Sequence, residues 1–165
     1  MDTISPTEYE QLVASIVAGM RQSAPELAML SLRSGRTNRI YGASGYNHQI
    51  DVSLTGSSGI FLLECKKWNK RAGVESVLVL AARASDILQA NCNIRIIPIL
   101  VSSIGFTRGA QQVAKHYGVR LELVQSPQVF GMQLGARARI GVQDSLIISD
   151  HVETRLYRDG KLVDG

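Results

Sequence analysis

Two acidic residues and one lysine in the middle of the chain could together do chemistry on a phosphate ester. Asp51 lies in the apolar segment 50–54, and Glu64 and Lys66 end the apolar segment 61–66. Both segments predict strands, and the small polar residues at 55–59 predict a tight turn between them. Residues i and i+2 of a strand point to the same face, so Glu64 and Lys66 project together.

The register of this predicted hairpin decides whether the two acids meet. A turn centred on residues 57 and 58 places Asp51 directly opposite Glu64, where cross-strand Cβ atoms lie roughly 5 Å apart. Two converging carboxylates beside an ammonium group suit a divalent metal ion and an activated water. The alternative is an exposed ion-pair cluster. The apolar remainder of the 61–66 segment weighs against it, because charges buried there are costly unless paired or functional.

The pattern of Asp51 followed by Glu64-Cys65-Lys66 resembles the catalytic signature of the PD-(D/E)xK nuclease superfamily. Three other segments, 7–13, 105–110 and 114–119, resemble the opening helix and the later loop, helix and strand of its Mrr-like restriction endonuclease branch. The resemblance covers about residues 7–125 in the expected order. Ile50 departs from the proline of the superfamily's name, at a position that varies among such nucleases.

This resemblance implies an α/β fold of the restriction-endonuclease-like type, with three α/β/α layers and a mixed central sheet. It also implies a Mg²⁺-dependent DNA endonuclease of the Mrr-like restriction type, for which Mn²⁺ would substitute. The implied catalytic residues are Glu10, Asp51, Glu64 and Lys66, and the implied metal ligands are Asp51, Glu64 and the backbone carbonyl of Cys65. The spacing alone leaves three alternatives for Glu10: a helix cap, a solvated surface acid or a catalytic acid.

Basic residues gather in two polar segments next to the candidate strands, which suits contact with a phosphate backbone. The predicted DNA-binding residues are Arg33, Arg36, Arg39, His48, Lys67, Lys70 and Arg71. Tyr41 or Tyr46 would pack on sugar or base, or else belong to a solvated loop. His48 would contact phosphate, carry a proton or cap its strand. The net charge of +4 and pI of 9.3 add little by themselves.

Composition places the chain among ordinary globular proteins. Its 165 residues are 45% hydrophobic and 19% charged, which is typical of one soluble domain. No apolar run is long enough to span a membrane, and residues 1–6 lack signal-peptide features, so we expect a cytoplasmic protein without a membrane partner. Cys65 and Cys92 lack metal-type spacing and are expected to be buried free thiols. The three histidines are too widely separated for a zinc site.

Hydrophobic periodicity predicts the elements that must position the candidate residues. We expect helices at 7–22, capped by Thr7, at 74–90, and from a Thr107 cap to 117, with further strands at 94–101 and 119–124. Residues 1–125 would form the nuclease core. Residues 126–165 would form a C-terminal extension that acts as a hairpin, a sheet edge or a dimer contact, with a strand at 146–148 and a turn at 158–161.

Two other functions fit the same residues. The first is a structure-selective nuclease similar to a Holliday junction resolvase, and the second is a non-catalytic nucleic-acid-binding module on the same fold. Either nuclease would work as a homodimer, because cutting two strands calls for two sites. Target selection would come from this domain, from a second copy or from a partner subunit.

Overall fold

The computed structural model describes residues 4–57, 59–125, 130–131, 156–158 and 161–163. The described helices are α1 (Pro6–Ser23), α2 (Pro25–Ala28), α3 (Val74–Ala90) and α4 (Arg108–Tyr117). The described strands are β1 (Ser31–Ser34), β2 (Arg39–Tyr41), β3 (Asn47–Gln49), β4 (Val52–Gly56), β5 (Gly59–Lys66), β6 (Arg95–Ser102), β7 (Arg120–Val124), β8 (Phe130–Gly131), β9 (Leu156–Arg158) and β10 (Lys161–Val163).

The main sheet is mixed, as predicted. Its strands lie in the order β1-β4-β5-β6-β7-β8-β9-β10, and β2 and β3 form a separate two-stranded ribbon. Strands β1, β4 and β5 pair antiparallel, whereas β5, β6 and β7 pair parallel. The parallel part requires a crossover, which α3 provides between β5 and β6.

Helices cover both faces of this sheet, which confirms the predicted three-layer α/β/α arrangement. One face packs against α1, and β5 contributes Phe61, Leu63 and Cys65 to that layer. The other face packs under α3, to which β5 contributes Ile60 and Leu62. The alternation follows from the two-residue period of a strand.

Strand β5 is the centre of the fold. Its first seven residues are buried and only Lys66 is half-buried, because β5 has neighbours on both edges and helices on both faces. Strand β6 lies inside the sheet although it contains Pro98, which has no N–H to donate to a neighbouring strand. Pro98 pairs with Leu62 of β5 but precedes Ile99, where pairing with β7 begins.

Helix α1 begins earlier than predicted, and the predicted cap is wrong. Ser5, not Thr7, is the N-cap: its Oγ accepts from the Glu8 N–H at 3.2 Å, and Glu8 Oε2 accepts from the Ser5 N–H at 2.6 Å. Pro6 explains the shift, because proline is favoured at the first helical position. Glu10 is therefore released from any capping role. The predicted Thr107 cap of α4 is confirmed, with Oγ1 accepting from the Ala110 N–H.

The cysteine prediction is correct for one of the two residues. Cys65 is buried on the α1 side of the sheet. Cys92 is exposed, because it follows the end of α3 in the short connection to β6. Both are free thiols.

Beyond β7, the described strands extend the sheet. Strands β8 and β9 pair antiparallel, as do β9 and β10, with Arg158 opposite Lys161. The predicted strand at 146–148 and the turn residues 159 and 160 lie outside the described residues. The division into a core of residues 1–125 and an extension of residues 126–165 stays a prediction.

Among the described helices, none is both long and apolar enough to cross a bilayer.

The first testable prediction concerns the start of α1. Replacing Ser5 with Ala should lower the free energy of unfolding by about 1 kcal/mol, because the Glu8 N–H loses its acceptor. Urea-induced unfolding followed by circular dichroism measures the change. The matched control is Thr7→Ala, which removes an exposed hydroxyl two residues away and should be close to neutral. A larger loss in the Thr7 variant would contradict the assigned cap.

Candidate active site

Asp51 and Glu64 face each other at the end of the β4–β5 ladder. The ladder pairs Val52 with Leu63, so Asp51 stands opposite Glu64 one step further on. Asp51 lies just outside β4, and its Oδ2 accepts a 2.7 Å hydrogen bond from the Cys65 N–H. The register that the turn predicts is therefore present, and it holds the Asp51 carboxylate against the backbone of β5.

Buried polar groups hold the segment that carries Asp51. Asn38 is almost completely buried, and its Nδ2 donates to the Ile50 carbonyl at 2.8 Å while its Oδ1 accepts from the Ser53 hydroxyl at 3.0 Å. The Gly35 N–H donates to the Asp51 carbonyl at 3.1 Å. These bonds fix the backbone on both sides of Asp51, and the hydrogen bond from the Cys65 N–H then holds the carboxylate.

Glu64 is paired through both carboxylate oxygens. Lys66 Nζ lies 2.9 Å from Oε1, and Arg83 Nη1 of α3 lies 2.8 Å from Oε2. The same-face projection of Glu64 and Lys66 is thus realised as an ion pair. Two cations offset the cost of burying this carboxylate at the end of an apolar strand.

Arg83 is the main residue of the site that sequence reasoning missed. It lies on α3, on the same face of the sheet as Glu64. A signal was present, because α3 is mostly apolar and Arg83 is one of two charged residues in its second half, the other being Asp86. Such residues in a buried helix call for a partner. Which partner they find depends on how the helix lies on the sheet.

Glu10 approaches Asp51 from the opposite face of the sheet. It is half-buried on α1, which packs on the other face of the sheet, yet its charge acts on both Asp51 and Cys65. The structure thus brings all four predicted catalytic residues, Glu10, Asp51, Glu64 and Lys66, to the same end of β5. Their catalytic roles stay predictions.

The electrostatics of Asp51 differ from those of an ordinary carboxyl. Burial raises its pKa from 3.8 to about 7, and the nearby charges of Glu64 and, to a smaller extent, Glu10 act in the same direction. The Cys65 N–H and the Lys66 ammonium oppose this rise in pKa. Burial also raises the pKa of the Cys65 thiol, which keeps it protonated and unreactive.

These donors fit a divalent cation. Mg²⁺ commonly takes one or two carboxylates and keeps several waters, and Asp51 and Glu64 supply two carboxylates with the Cys65 carbonyl on the same strand end. A cation held by these carboxylates would offset both the burial and the repulsion from Glu64 that raise the pKa of Asp51. Within the described part of the chain, no three side chains of the His, Cys, Asp or Glu type assemble into a metal site. Any ion would therefore depend on the two carboxylates and on backbone or water oxygens.

A cavity of about 220 Å³ adjoins Glu64. It is lined by Glu64, Lys66, Trp68, Glu75, Ser76, Val79 and Arg83. Trp68 is partly exposed, and Lys66 Nζ and Lys70 Nζ lie 5.6 and 5.9 Å from its ring centroid. Of the other cations predicted to bind DNA, Arg71 is exposed and Lys67 is half-buried.

The remaining predicted DNA-binding residues lie before Asp51. Arg33, Arg36 and Arg39 are exposed, and Arg33 Nη2 donates to the Thr37 carbonyl at 3.2 Å. His48 is half-buried, with Nε2 2.7 Å from Asp86 Oδ2 on α3. That contact gives one ring nitrogen of His48 a hydrogen-bond partner within the protein, and the DNA-binding role of His48 stays a prediction.

Gln89 and His116 contact residues other than Asp51 and Glu64. Gln89 is exposed, its amide is 3.4 Å from the Ser85 hydroxyl, and it follows Arg83 by about 9 Å along α3. His116 is exposed on α4 beside Tyr117. His151 lies outside the described residues.

The second prediction uses the pH dependence of stability. The raised pKa means that the folded state holds a proton on Asp51 between about pH 4 and 7 that the unfolded state has released, so stability falls as pH rises through this window. Asp51→Asn removes the charge and keeps an acceptor for the Cys65 N–H. At pH 8 in EDTA we expect this variant to melt a few degrees above the wild type, since 1 kcal/mol corresponds to about 2–4 °C for a domain of this size.

Thermal unfolding at pH 5 and pH 8 measures this effect. The gap between variant and wild type should be larger at pH 8 than at pH 5. Asn38→Asp is the contrasting substitution, because it adds a buried carboxyl where an amide donor is needed and should destabilise at pH 8. If Asp51→Asn were less stable than the wild type at both pH values, the carboxylate would be a stabilising group and the description above would be wrong.

Comparison with known proteins gives a family and a fold. A family model described as Mrr_cat, restriction endonuclease, matches residues 1–132. Among solved structures, Can2 from Sulfobacillus thermosulfidooxidans, in complex with cyclic tetra-adenylate, is 14% identical with a TM-score of 0.51, over 72% of this chain and 32% of that one. At this identity the likeness shows the fold alone. A search of curated proteins found no match.

Two further solved structures are similar at a lower level. The AF1548 protein of unknown function is 19% identical with a TM-score of 0.48, over 64% of this chain and 56% of that one. A repair endonuclease from Pyrococcus abyssi is 19% identical with a TM-score of 0.42, over 67% of this chain and 46% of that one. The chain thus spans about half or less of the length of the solved proteins that it matches.

Proposed function

Because the chain belongs to the Mrr_cat restriction endonuclease family, we propose that it is a DNA endonuclease that hydrolyses phosphodiester bonds with a divalent metal ion, Mg²⁺ or Mn²⁺. The observation that carries this proposal is the meeting of Asp51 and Glu64 at one end of β5, with Lys66 and Arg83 beside them. An acid pair that can hold a metal ion and two cations that can face the phosphate suit the hydrolysis of a phosphate ester.

Each side chain has a distinct part in the proposed reaction. Asp51, Glu64 and the Cys65 carbonyl would hold the divalent ion, which supplies positive charge to the phosphate and lowers the pKa of a water molecule. Glu10, on the far side of Asp51, would accept hydrogen bonds from water in the site. Lys66 lies on the Glu64 face of β5, where its ammonium can orient the attacking water and stabilise charge that develops on the phosphate oxygens.

Arg83 gives the site a second cation that can exchange partners. Its guanidinium binds Glu64 and also lines the cavity that Trp68 borders. When Glu64 turns to a metal ion, Arg83 would be free to contact a phosphate oxygen, because a guanidinium binds carboxylate and phosphate with the same geometry. We assign Arg83 to substrate binding.

One observation favours a non-catalytic nucleic-acid-binding module as the second candidate. Both oxygens of Glu64 are already satisfied by ion pairs, as they would be in a structural cluster. The raised pKa of Asp51 weighs against a non-catalytic module, since a carboxyl with a purely structural role would have its negative charge balanced by a nearby cation. Within the nuclease proposal, restriction of duplex DNA is the first choice and junction cleavage similar to that of a Holliday junction resolvase is the alternative.

The assembly and its targeting are further parts of the proposal. A homodimer would place two sites on the two strands of a duplex. A partner subunit, or a second copy of this chain, would select the target DNA.

The third prediction tests metal binding without any measurement of cleavage. Saturating Mg²⁺ or Mn²⁺ at pH 8 should raise the melting temperature of the wild type, since an ion at a hundred times its Kd adds about 2.7 kcal/mol of stability. Asp51→Asn should lose most of this gain. The matched control is Glu26→Gln, which removes an exposed acid on α2 and should respond as the wild type does. Equal responses in all three proteins would contradict a metal site at Asp51.

The fourth prediction tests the reaction. Purified protein with Mg²⁺ or Mn²⁺ should cleave DNA, and Lys66→Ala and Asp51→Ala should each lower the rate by at least about a hundredfold, because groups that stabilise the transition state contribute effects of that size. The charge-matched control is Lys115→Ala on the exposed side of α4. Gel assays on plasmid, linear duplex, methylated duplex and four-way junctions measure the rates.

The substrate that is cut identifies the type of nuclease. Faster cleavage of plain or methylated duplex would support restriction, whereas faster cleavage of the four-way junction would support a resolvase. Intact DNA with every substrate and ion, together with DNA binding that Lys66→Ala leaves unchanged, would overturn the nuclease and favour the binding module.

A further inference from the structure

We propose that the ribbon formed by β2 and β3 enters the major groove of duplex DNA beside the candidate active site, with Arg39, Tyr41 and Gln49 as its contacts. The proposal rests on the proposed function, in that the duplex is the substrate whose backbone would reach Asp51 and Glu64. The ribbon is then the element of the fold that binds this substrate.

The ribbon has two different faces. Its register pairs Arg39 with Gln49, Ile40 with His48 and Tyr41 with Asn47. Because side chains alternate along a strand, Ile40 and His48 share the inner face. Ile40 packs against the core under α3, and His48 contacts Asp86.

The outer face carries groups that read nucleic acid. Arg39 and Gln49 lie opposite each other on this face, Tyr41 lies two residues further along β2, and all three are exposed, with 65% of Tyr41 accessible. Guanidinium and amide groups pair with base edges, and a tyrosine ring packs on sugar or base. The major groove is wide enough to admit a two-stranded ribbon.

The charge of this region complements DNA. Residues 27–50 contain three arginines, Arg33, Arg36 and Arg39, and no acidic residue. Arg36 lies in the turn immediately before β2, where it is exposed. The segment that forms the ribbon and its approach thus carries positive charge and no carboxylate of its own, which favours a phosphate backbone over another protein surface of mixed charge.

Asp86 fixes the ribbon to α3. Its Oδ1 accepts from the Ser44 N–H at 2.8 Å, and its Oδ2 accepts from the Ser44 hydroxyl at 2.6 Å and lies 2.7 Å from His48 Nε2. The Ala43 N–H donates to the Asp86 carbonyl at 3.0 Å. Gly42 is required here, because a Cβ at that position would overlap the Asp86 carboxylate. These hydrogen bonds hold the carboxyl group as an anion and lower its pKa to about 2.

The same helix relates the ribbon to the active site. Asp86 follows Arg83 by one turn of α3, and Arg83 binds Glu64. At the other end, Gln49 precedes Asp51 by two residues. The ribbon is therefore connected to Glu64 through α3 and to Asp51 along the chain, which supports placing a duplex bound by the ribbon beside the site.

The fifth prediction tests the ribbon by DNA binding in the Lys66→Ala background, which prevents cleavage. Tyr41→Ala and Gln49→Ala should each weaken binding to duplex DNA by about fivefold or more in fluorescence anisotropy, because a lost base contact has effects of this order. Tyr117→Ala is the matched control, since this tyrosine is 54% exposed on α4 and far from the ribbon in sequence. A photo-crosslinking residue at position 41 should attach to duplex DNA, and one at position 117 should not.

Asp86→Ala is a test in which the change in net charge and the loss of the ribbon's attachment to α3 have opposite expected effects on DNA binding. Removing this carboxylate makes the protein more positive, which by itself strengthens DNA binding. Release of the ribbon should instead weaken binding by about fivefold and speed hydrogen exchange at the Ser44 amide. Glu26→Ala removes the same charge from an exposed site on α2 and should bind DNA at least as tightly as the parent.

The outcomes separate this proposal from the proposed function. If the wild type cleaves DNA but the position-41 and position-49 variants bind as the parent does and position 41 gives no crosslink, the ribbon proposal is overturned and the nuclease stands. If no substrate is cleaved but position 41 crosslinks to duplex and Asp86→Ala weakens binding, the ribbon proposal holds and the nuclease fails. Crosslinks from position 41 to a second protein chain instead of DNA would overturn it in favour of a dimer contact.

Discussion

The burial of Glu64 at the end of β5 is the constraint on which the rest of the site depends. Seven consecutive residues of β5 are buried, and Glu64 is the sixth residue of the strand. A carboxylate in such a place is tolerated only when other charges compensate it. Lys66 provides this compensation from the same strand and Arg83 provides it from α3. The position of α3 on the sheet therefore also determines how the charge of Glu64 is balanced.

Helix α3 serves two neighbouring parts of the molecule. Arg83 binds Glu64, and Asp86 binds the tip of the β2–β3 ribbon and His48. The rest of its inward face is apolar and anchors it under the sheet. A single rigid element therefore sets the distance between the carboxylates and the surface that we assign to DNA, which is a precise way to align a substrate with a reacting centre.

The position of Asp51 beside Glu64 lowers the stability of the folded protein. Its carboxyl has a raised pKa because burial and the charge of Glu64 both disfavour ionisation, and the Cys65 N–H offsets this only in part. Groups held in this way commonly lower stability while serving function. The surrounding hydrogen bonds of Asn38 and Gly35 keep the carboxylate in place against that repulsion. Stability and site geometry are thus opposed at this residue.

The sequence by itself determined the features that depend on neighbours along the chain. The turn between β4 and β5 sets the register that brings Asp51 opposite Glu64, strand periodicity puts Lys66 on the same face, and the Thr107 cap starts α4, so all of these were predictable. The three-layer fold followed from the order of elements and the family pattern. Tertiary structure alone decided that Arg83 meets Glu64 and that Asp86 meets Ser44 and His48, because those contacts depend on how α3 lies across the sheet. The start of α1 was missed for a local reason: Ser5 with Glu8 and Thr7 with Glu10 both have capping-box spacing, and Pro6 at the first helical position is the signal that favours Ser5.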